Sequence, residues 1–278
     1  MILDGKVVAA SIKQRLKEEI DVAVANGYRR PKLVIITVGD DPASKVYVRN
    51  KMKAAGEIGI EVNHMPFTEY ADTPFVINII NEFNNDEEVD GIMVQLPLPS
   101  YLDERAIIDA IDPAKDVDGL TTTNIGRLRS GQDCLKPCTA AGIIDLCKYY
   151  NIELDGKDVT IIGRSNIVGK PLADMMMAEG ATVTQCHSHT ADLRFHTLPA
   201  DIVVSAVGIP TFLNREHIGY ERVVIDVGIN RDERGRLCGD VDFEDVEEKC
   251  SAITPVPGGV GPMTVAELMK NVVQAWRN

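Results

Sequence analysis

Three side chains suited to hydrogen bonding or proton transfer stand at helical spacing in the segment DDPASKVYVRNKMKAAGEIGI, residues 40–60. They are Ser44, Tyr47 and Lys51. Residues at positions i, i+3 and i+7 lie on one face of an α-helix. Asp41 and Pro42 predict the N-terminus of this helix, and Gly59 predicts its end. A hydroxyl, a phenol and an amine on one face indicate a binding or catalytic surface, although a solvated polar face explains the same spacing.

A second segment whose residues could bind a ligand is the turn IIGRSNIVGKP, residues 161–171. It follows a predicted strand and precedes a predicted helix. Small residues let a backbone approach a dinucleotide pyrophosphate, and a helix N-terminus offers free N–H groups. The glycines, Gly163 and Gly169, stand 6 positions apart, so the segment departs from G-x-G-x-x-G. A tight turn without a ligand is the alternative interpretation.

The next predicted strand, ATVTQC, indicates which dinucleotide would bind. An NAD site usually has an Asp or Glu about 20 residues after the first glycine, where it binds the ribose 2′-hydroxyl. Here the strand leads into His187, Ser188 and His189, with no carboxylate. Arg164 in the turn offers a guanidinium for a 2′-phosphate, which favours NADP over NAD. A metal site built on Cys186 and the two histidines would lack a fourth ligand.

The rest of the chain predicts the elements that would position these residues. Apolar runs that alternate with helical segments predict parallel sheets covered on both faces. The predicted strands fall at 32–39, 61–67, 90–95, 158–163, 181–186, 201–208 and 222–228. We therefore predict an α/β fold with two doubly wound parallel-sheet domains, the second Rossmann-like. The domains would comprise residues 1–138 plus 263–278, and residues 139–262. A capping box at Thr264 and Glu267 predicts the start of the final helix.

Composition limits the classes of partner. The chain carries 29 basic and 42 acidic residues, a net charge of −13, which argues against nucleic acid or an anionic membrane surface. No apolar run approaches the roughly 20 residues of a transmembrane helix, and the first residues lack a secretory signal pattern. The six cysteines include no C-x-x-C pair, and Cys134 and Cys138 lack a second pair for zinc. We expect free thiols, no metal and a cytoplasmic location.

Five motifs then occur in order along nearly the whole chain: YVRNKMKAAGEIGI, DGIMVQLPLP, KDVDG, GRSNIVGKP and TPVPGGVGPMT. In this order and spacing they resemble the bifunctional methylenetetrahydrofolate dehydrogenase/methenyltetrahydrofolate cyclohydrolase family. The resemblance implies NADP-dependent oxidation of methylenetetrahydrofolate and hydrolysis of the product to formyltetrahydrofolate, within one-carbon metabolism and purine biosynthesis. It also implies two domains flanking a cleft, with folate chemistry in the first, NADP in the second, and a homodimer formed through the nucleotide domains.

The resemblance assigns roles to individual positions. Lys51 and Tyr47 match the active-site lysine and tyrosine, and Gln95 matches a glutamine that contacts the lysine. We expect Lys51 to act as the acid–base group of hydrolysis, with Gln95 orienting it and Tyr47 bordering the folate ring. Ser44 belongs to the same motif and is expected to bind substrate.

Asp118 in KDVDG matches the carboxylate that binds the pterin. One carboxylate can accept two parallel hydrogen bonds from the pterin amino group and ring N–H. A surface turn residue is the alternative interpretation. Gly258 and Gly259 resemble the loop beside folate and nicotinamide and are expected to bind substrate. A flexible lead to the last helix explains these glycines as well. The positions expected to bind NADP are Gly163, Arg164, Ser165, Val168, Gly169, Ser188 and Ile229.

Two other functions compete with this interpretation. A hydroxy-acid dehydrogenase usually needs a His–carboxylate pair, and none of the histidines lies in a promising motif. A non-catalytic nucleotide-binding module would have no use for Lys51, Gln95 and Asp118 together. The chain contains no G-x-x-x-x-G-K-[ST], so ligation of formate to tetrahydrofolate is not expected.

Overall fold

The computed structural model describes residues 1–278 apart from the side chain of Ala43. Two compact units make up the chain. The Lys51 unit comprises Ala10–Cys138 and Val265–Asn278, and the Gly163 unit comprises Met1–Ala9 and Thr139–Thr264. Within the described residues, no helix has both the length and the apolar composition needed to cross a bilayer.

The Lys51 unit is built on a three-stranded parallel sheet with the order β2-β1-β3. Its strands are β1 (Lys32–Val38), β2 (Glu61–Phe67) and β3 (Gly91–Val94). Its helices are α1 (Gly5–Ala25), which starts in the Gly163 unit, α2 (Pro42–Ile58), α3 (Thr73–Asn84), α4 (Glu104–Asp109) and α5 (Thr122–Arg129). Residues 33–36 of β1 are all fully buried, as expected for a central parallel strand covered on both faces.

The ends of α2 agree with the sequence-based prediction. The Asp41 carboxylate accepts a hydrogen bond from the Ser44 N–H at 2.7 Å, and Pro42 occupies the first turn. Gly59 ends the helix in the left-handed region at φ 89°, a conformation that favours glycine. These caps fix where α2 begins, and with it which residues share a face.

The Gly163 unit contains a five-stranded parallel sheet with the order β10-β7-β6-β4-β5. Its strands are β4 (Asp158–Ile162), β5 (Thr182–Cys186), β6 (Ile202–Ser205), β7 (Arg222–Asp226) and β10 (Cys250–Ile253), and β8 (Asn230–Arg231) with β9 (Leu237–Cys238) forms a separate antiparallel pair. Its helices are α6 (Cys138–Tyr149), α7 (Gly169–Ala178), α8 (Leu193–Thr197) and α9 (Phe243–Val246), with a 3-10 turn at Glu247–Lys249. The last helix, α10 (Val260–Trp276), begins in this unit and belongs to the Lys51 unit from Val265 onward. The prediction of two doubly wound parallel sheets is confirmed.

The strand order defines a topological switch point in this sheet. The chain passes from β4 to β5 on one side and then returns to β6 on the other side. In doubly wound sheets, ligands bind beyond the carboxyl ends of the two strands that flank this point. The residues that follow β4 and β6 are therefore candidates for a nucleotide site.

The N-terminal residues group differently from the predicted division. The Leu3 N–H donates to the Ile253 carbonyl at 2.8 Å, and the Gly5 N–H donates to the Gly258 carbonyl at 2.9 Å. Because these backbone bonds join the first residues to the edge of β10, Met1–Ala9 belong to the Gly163 unit. The functional division into residues 1–138 plus 263–278 and residues 139–262 stays a prediction.

The start of the last helix was predicted wrongly. Thr264 does not cap it, because α10 begins at Val260 and Thr264 lies one turn inside. Pro262 is compatible with this because N–H groups in the first helical turn have no intrahelical partner. The Thr264 hydroxyl instead makes a hydrogen bond of 3.1 Å with the hydroxyl of Thr139.

Asn271 on α10 ties this helix to the KDVDG segment. Its side-chain Nδ2 donates to the carbonyls of Val117 and Lys136, each at 2.8 Å, and the residue is 4% exposed. Val117 precedes Asp118, so the amide fixes the backbone beside a predicted substrate-binding residue.

We expect Asn271→Leu to lower the free energy of unfolding by about 1–3 kcal/mol, because buried carbonyls lose their donor. Urea denaturation followed by circular dichroism measures this change. Gln274→Leu, at an exposed position one turn later on α10, is the matched control and should leave the midpoint nearly unchanged. Equal midpoints for the two variants would contradict the role given to Asn271.

Candidate active site

Lys51 and Gln95 meet at the carboxyl edge of the sheet in the Lys51 unit. Lys51 lies on α2, and Gln95 directly follows β3. The Lys51 Nζ donates to Oε1 of Gln95 at 3.1 Å, and Nε2 of Gln95 donates to the Leu96 carbonyl at 2.6 Å. The second bond fixes which end of the amide faces the lysine. The amine is therefore held in one direction by a side chain that is only 9% exposed.

Ser44 and Tyr47 lie on the same helix as Lys51. Tyr47 is 40% exposed, so its ring is available to a planar ligand. The Oγ of Ser44 is buried and has no hydrogen-bond partner among the described residues. A buried hydroxyl without a partner costs free energy unless a ligand or solvent supplies one. The predicted face therefore carries hydrogen-bonding capacity that the rest of the described chain does not use.

Asp118 is positioned by its neighbours in the KDVDG loop. The Lys115 Nζ donates to three backbone carbonyls at the end of α3, those of Phe83, Asn84 and Asp86. The fully buried Asp116 accepts from the N–H groups of Gly119, Leu120 and Thr121 and from the Asn124 amide. Half-buried Asp118 has no hydrogen-bond or ion-pair partner within the described chain, so its carboxylate is left for a ligand.

Cys138 lies near this loop but serves the fold. Its Sγ donates to the Val117 carbonyl at 3.2 Å. Burial raises the pKa of the Cys138 thiol well above its usual range, and the negative charge of Asp118 adds to the rise. A thiol held in its neutral form is a poor nucleophile and a poor zinc ligand. All six cysteines of the chain are free.

The turn after β4 leaves no room for side chains at its two glycines. A Cβ on Gly163, which has φ 121°, would lie 2.4 Å from the Ala206 carbonyl oxygen. A Cβ on Gly169 would lie 2.3 Å from the Gly163 carbonyl oxygen. The Oγ of Ser165 accepts from the N–H groups of Val168 and Gly169 at 3.2 and 3.4 Å. The turn is a compact backbone cradle at the start of α7, and Arg164 lies exposed on it.

The other predicted cofactor residues follow neighbouring strands of the same sheet. Ser188 is exposed just beyond β5, and Ile229 is 45% exposed just beyond β7. Because β5, β4, β6 and β7 are parallel neighbours, their following residues meet at one edge of the sheet. Gly258 and Gly259 are buried in the Gly163 unit, whereas Ser44, Tyr47, Lys51, Gln95 and Asp118 belong to the Lys51 unit.

Two family models match this chain. The model described as "Tetrahydrofolate dehydrogenase/cyclohydrolase, catalytic domain" matches residues 3–118. The model described as "Tetrahydrofolate dehydrogenase/cyclohydrolase, NAD(P)-binding domain" matches residues 137–278. Together the two models account for most of the sequence.

The chain belongs to the tetrahydrofolate dehydrogenase/cyclohydrolase family.

Curated relatives agree over the full length. The bifunctional protein FolD of Mycoplasma capricolum is 49% identical over 278 residues, which is 100% of this chain and 98% of that protein. The protein of the same name from Bacillus subtilis is 47% identical over 274 residues, covering 99% of this chain and 96% of that protein.

Solved structures agree as well. The crystal structure of the bifunctional FolD enzyme from Campylobacter jejuni superposes with a TM-score of 0.98 at 45% identity, covering 100% of this chain and 99% of that one. The Trypanosoma brucei enzyme, whose structure holds NADP and an inhibitor, gives a TM-score of 0.95 at 36% identity, covering 100% and 97%.

The family membership confirms the predicted activity. The chain is a bifunctional methylenetetrahydrofolate dehydrogenase and methenyltetrahydrofolate cyclohydrolase of one-carbon metabolism, and its cofactor is NADP. The glycine cradle of the Gly163 unit fits a dinucleotide, because its backbone can be approached where a Cβ would intrude.

Two buried carboxylates of this family member were not identified from the sequence. Asp226 ends β7 at 3% exposure, and Asp240 follows β9 at 0% exposure. Burial raises the pKa of Asp226 to about 6, and the nearby charge of Asp240 adds to the rise. The available signal was an acid near a glycine within an apolar segment: Asp226 stands two positions before Gly228, and Asp240 directly follows Gly239.

Proposed function

We propose that the Lys51 unit carries the folate chemistry of both reactions, with Lys51 as the acid–base group of hydrolysis, and that the Gly163 unit binds NADP. The observation that carries this proposal is the bond between the Lys51 Nζ and Gln95, on a face that also presents Tyr47 and Ser44. The descriptions of the two family models, a catalytic domain and an NAD(P)-binding domain, support the same division.

Hydrolysis makes the larger demand on the protein's side chains. Water must add to a carbon between two nitrogens, a proton must leave that water, and a proton must reach the nitrogen that departs when the ring opens. Lys51 can hold and move one proton at Nζ, while the Gln95 amide keeps the amine in place. The amine also contacts the Met93 Sδ at 3.8 Å, but a thioether is a weak acceptor, so Nζ keeps donor capacity for the substrate.

Oxidation depends mainly on placement. NADP, when bound, accepts the hydride from the one-carbon bridge. Asp118 binds the amino and ring N–H edge of the pterin, and the Tyr47 ring borders the folate. Two fixed contacts on one rigid substrate define its orientation, and orientation is a large part of the rate advantage in transfer reactions.

The NADP assignments follow from the edge of the five-stranded sheet. Gly163, Ser165, Val168 and Gly169 form the turn that takes the pyrophosphate, with Arg164 on the 2′-phosphate and Ser188 beside it. Ile229 contacts the nucleotide from the end of β7. Gly258 and Gly259, in the loop before α10, are substrate-binding residues and not part of the NADP set. The cradle geometry at the two glycines supports the first part of this assignment.

A homodimer through the Gly163 unit is part of the proposal. At one edge of its sheet, Ile2 forms a parallel β-bridge with Ile253, the last residue of β10, so that edge is already covered by the N-terminal residues. The other edge, β5, has no strand beside it among the described residues. An exposed edge strand is a template for pairing with another chain. The free thiols support a location in the reducing cytoplasm.

Lys51→Met tests the division of labour. Met keeps the length and helix propensity of the side chain, so the amine is lost while α2 persists. We expect cyclohydrolase activity to fall by about 10²–10⁴-fold, the range for acid–base assistance. Dehydrogenase activity should survive in part, so methenyltetrahydrofolate should accumulate. NADPH absorbance and decay of the methenyl chromophore measure the two rates.

Lys53→Met is the matched control for Lys51→Met. Lys53 lies on the same helix with its side chain 77% exposed, and both activities should stay near wild type. Hydrolysis at wild-type rate in folded Lys51→Met protein would remove Lys51 from the acid–base role. Loss of both activities together would show that substrate placement is its main task.

Arg164→Ala tests the cofactor assignment. Loss of a charge-assisted hydrogen bond should weaken NADP binding by about 1.5–3 kcal/mol and leave NAD binding almost unchanged. Isothermal titration calorimetry with each cofactor measures both values. Arg236→Ala, which removes an exposed arginine from another part of the Gly163 unit, is the charge-matched control. Equal losses for NADP and NAD would mean that Arg164 serves the pyrophosphate or the fold.

Sedimentation velocity tests the homodimer. A chain of 30.4 kDa should sediment as a species of twice that mass at micromolar concentration. A single species with the mass of one chain would refute the dimer while leaving the enzymatic assignments untouched.

A further inference from the structure

The carboxylate of Asp240 gathers hydrogen bonds from two loops at the carboxyl edge of the five-stranded sheet. Its Oδ2 accepts from the Val207 N–H at 2.7 Å, the Gly208 N–H at 3.3 Å and the Ser205 hydroxyl at 3.1 Å. Its Oδ1 accepts from the Ile209 N–H at 3.1 Å and the Asn230 side-chain amide at 2.9 Å. The first four donors follow or end β6, and the fifth belongs to the segment after β7.

Asp226 holds Asp240 in turn. The Asp226 carboxylate accepts from the N–H groups of Asp240 and Val241, each at 2.9 Å, and from the Gly228 N–H at 3.0 Å. A Cβ on Gly239 would lie 1.8 Å from Oδ2 of Asp226, and a Cβ on Gly228 would lie 2.1 Å from Oδ1 of Asp240. Each acid therefore packs against a glycine beside the other acid. Asp226, at the end of β7, determines the position of Asp240.

The loop that Asp240 holds packs against the glycine turn. The Ala206 carbonyl oxygen, one residue before the bonded N–H groups, would lie 2.4 Å from a Cβ on Gly163. Ala206 in turn donates its N–H to the Ile162 carbonyl at 2.8 Å. β4 and β6 flank the switch point of the sheet. A movement of the loop at 206–209 would therefore displace the surface on which the turn at Gly163 rests.

Asp240 is too deeply buried to contact a bound cofactor directly. It is 0% exposed, and so is Ser205, one of its donors. Three successive backbone N–H groups form a concavity that would otherwise attract an anion. Here the protein's own carboxylate fills it, which leaves the turn after β4 as the site for the phosphates of the dinucleotide.

We propose that Asp240 is a positioning residue for NADP, which fixes the loop after β6 against the Gly163 turn and the Ile229–Asn230 segment after β7. The inference rests on the assignment of NADP to the Gly163 unit. A loop released from the carboxylate would visit several conformations, and the apparent dissociation constant rises in inverse proportion to the fraction that is competent. Because the loop supports the dinucleotide and not the 2′-phosphate, NADP and NAD should be affected alike.

Asp240→Asn is the main test. The amide nitrogen that replaces one carboxylate oxygen faces N–H donors and cannot accept from them. We expect the dissociation constants for NADP and NAD, measured by calorimetry, to rise together by about 10-fold or more, the equivalent of about 1.4 kcal/mol. Hydrogen exchange of the Val207, Gly208 and Ile209 amides should accelerate in the protein without cofactor. Cyclohydrolase activity, which uses the Lys51 unit, should stay near wild type.

Ser205→Ala is the second variant, for the case in which Asp240→Asn does not fold. It removes one donor from a fully buried position, and both dissociation constants should rise by about 3-fold, since a single weakened contact shifts the loop less. Asp201→Asn is the matched control. Asp201 accepts a backbone N–H at the opposite, amino edge of the same sheet, from Asp158 at 3.0 Å, and its loss should leave cofactor binding unchanged.

Each outcome decides the matter. Unchanged cofactor binding in folded Asp240→Asn protein, or in Ser205→Ala protein where the first variant does not fold, would overturn the proposal. An equal loss in Asp201→Asn would assign the effect to general destabilisation and would overturn it as well. A loss confined to NADP would place Asp240 with Arg164 instead of the loop. Absence of NADP binding in wild-type protein would refute the assignment of NADP to the Gly163 unit. That result would be known before any variant is compared.

Discussion

A carboxylate buried without a cation must be satisfied by hydrogen bonds, and both candidate sites of this enzyme depend on one. Asp116 and Asp240 are each 0% exposed, and each accepts from successive backbone N–H groups of a loop. Bonds to a charged acceptor are stronger than those between neutral groups, and their loss leaves a buried charge unpaired. The loops they hold are therefore restricted to one conformation. Asp118 lies on the first loop, and the second supports the Gly163 turn.

This arrangement separates the groups that hold the protein together from the groups available to ligands. In the KDVDG loop, Lys115 and Asp116 make the structural bonds, which leaves the Asp118 carboxylate for the pterin contact that we propose. On α2 the Asp41 carboxylate caps the helix, so the Ser44 hydroxyl is not needed for that purpose. A site residue that also stabilised the fold would have to break a bond in order to bind.

The structural features that could be predicted from the sequence are those that depend on the spacing of neighbouring residues. A few neighbouring residues determine each of three features: the caps of α2, the apolar strands and the glycine turn. The structure has each of them where the sequence predicted it. The bond from Asn271 to Val117 spans 154 positions, and the bond from Asp240 to Asp226 spans 14. No local pattern specifies such partners. The prediction of where α10 begins was wrong for a related reason. The Pro and Gly residues before Thr264 are typical of a loop, and no local pattern shows that the helix already includes them.

The charge of the protein explains why loop position matters for the cofactor. With a net charge of −13, the chain as a whole does not attract the phosphates of NADP. At physiological salt, charges beyond about 8 Å are largely screened, so binding depends on donors in direct contact. In the proposed site those donors are the side chain of Arg164 and backbone N–H groups of the Gly163 turn other than those of Val168 and Gly169, which donate to the Ser165 hydroxyl. Backbone donors have no freedom to adjust after the ligand arrives, and their geometry must be set beforehand by the packing between β4 and β6.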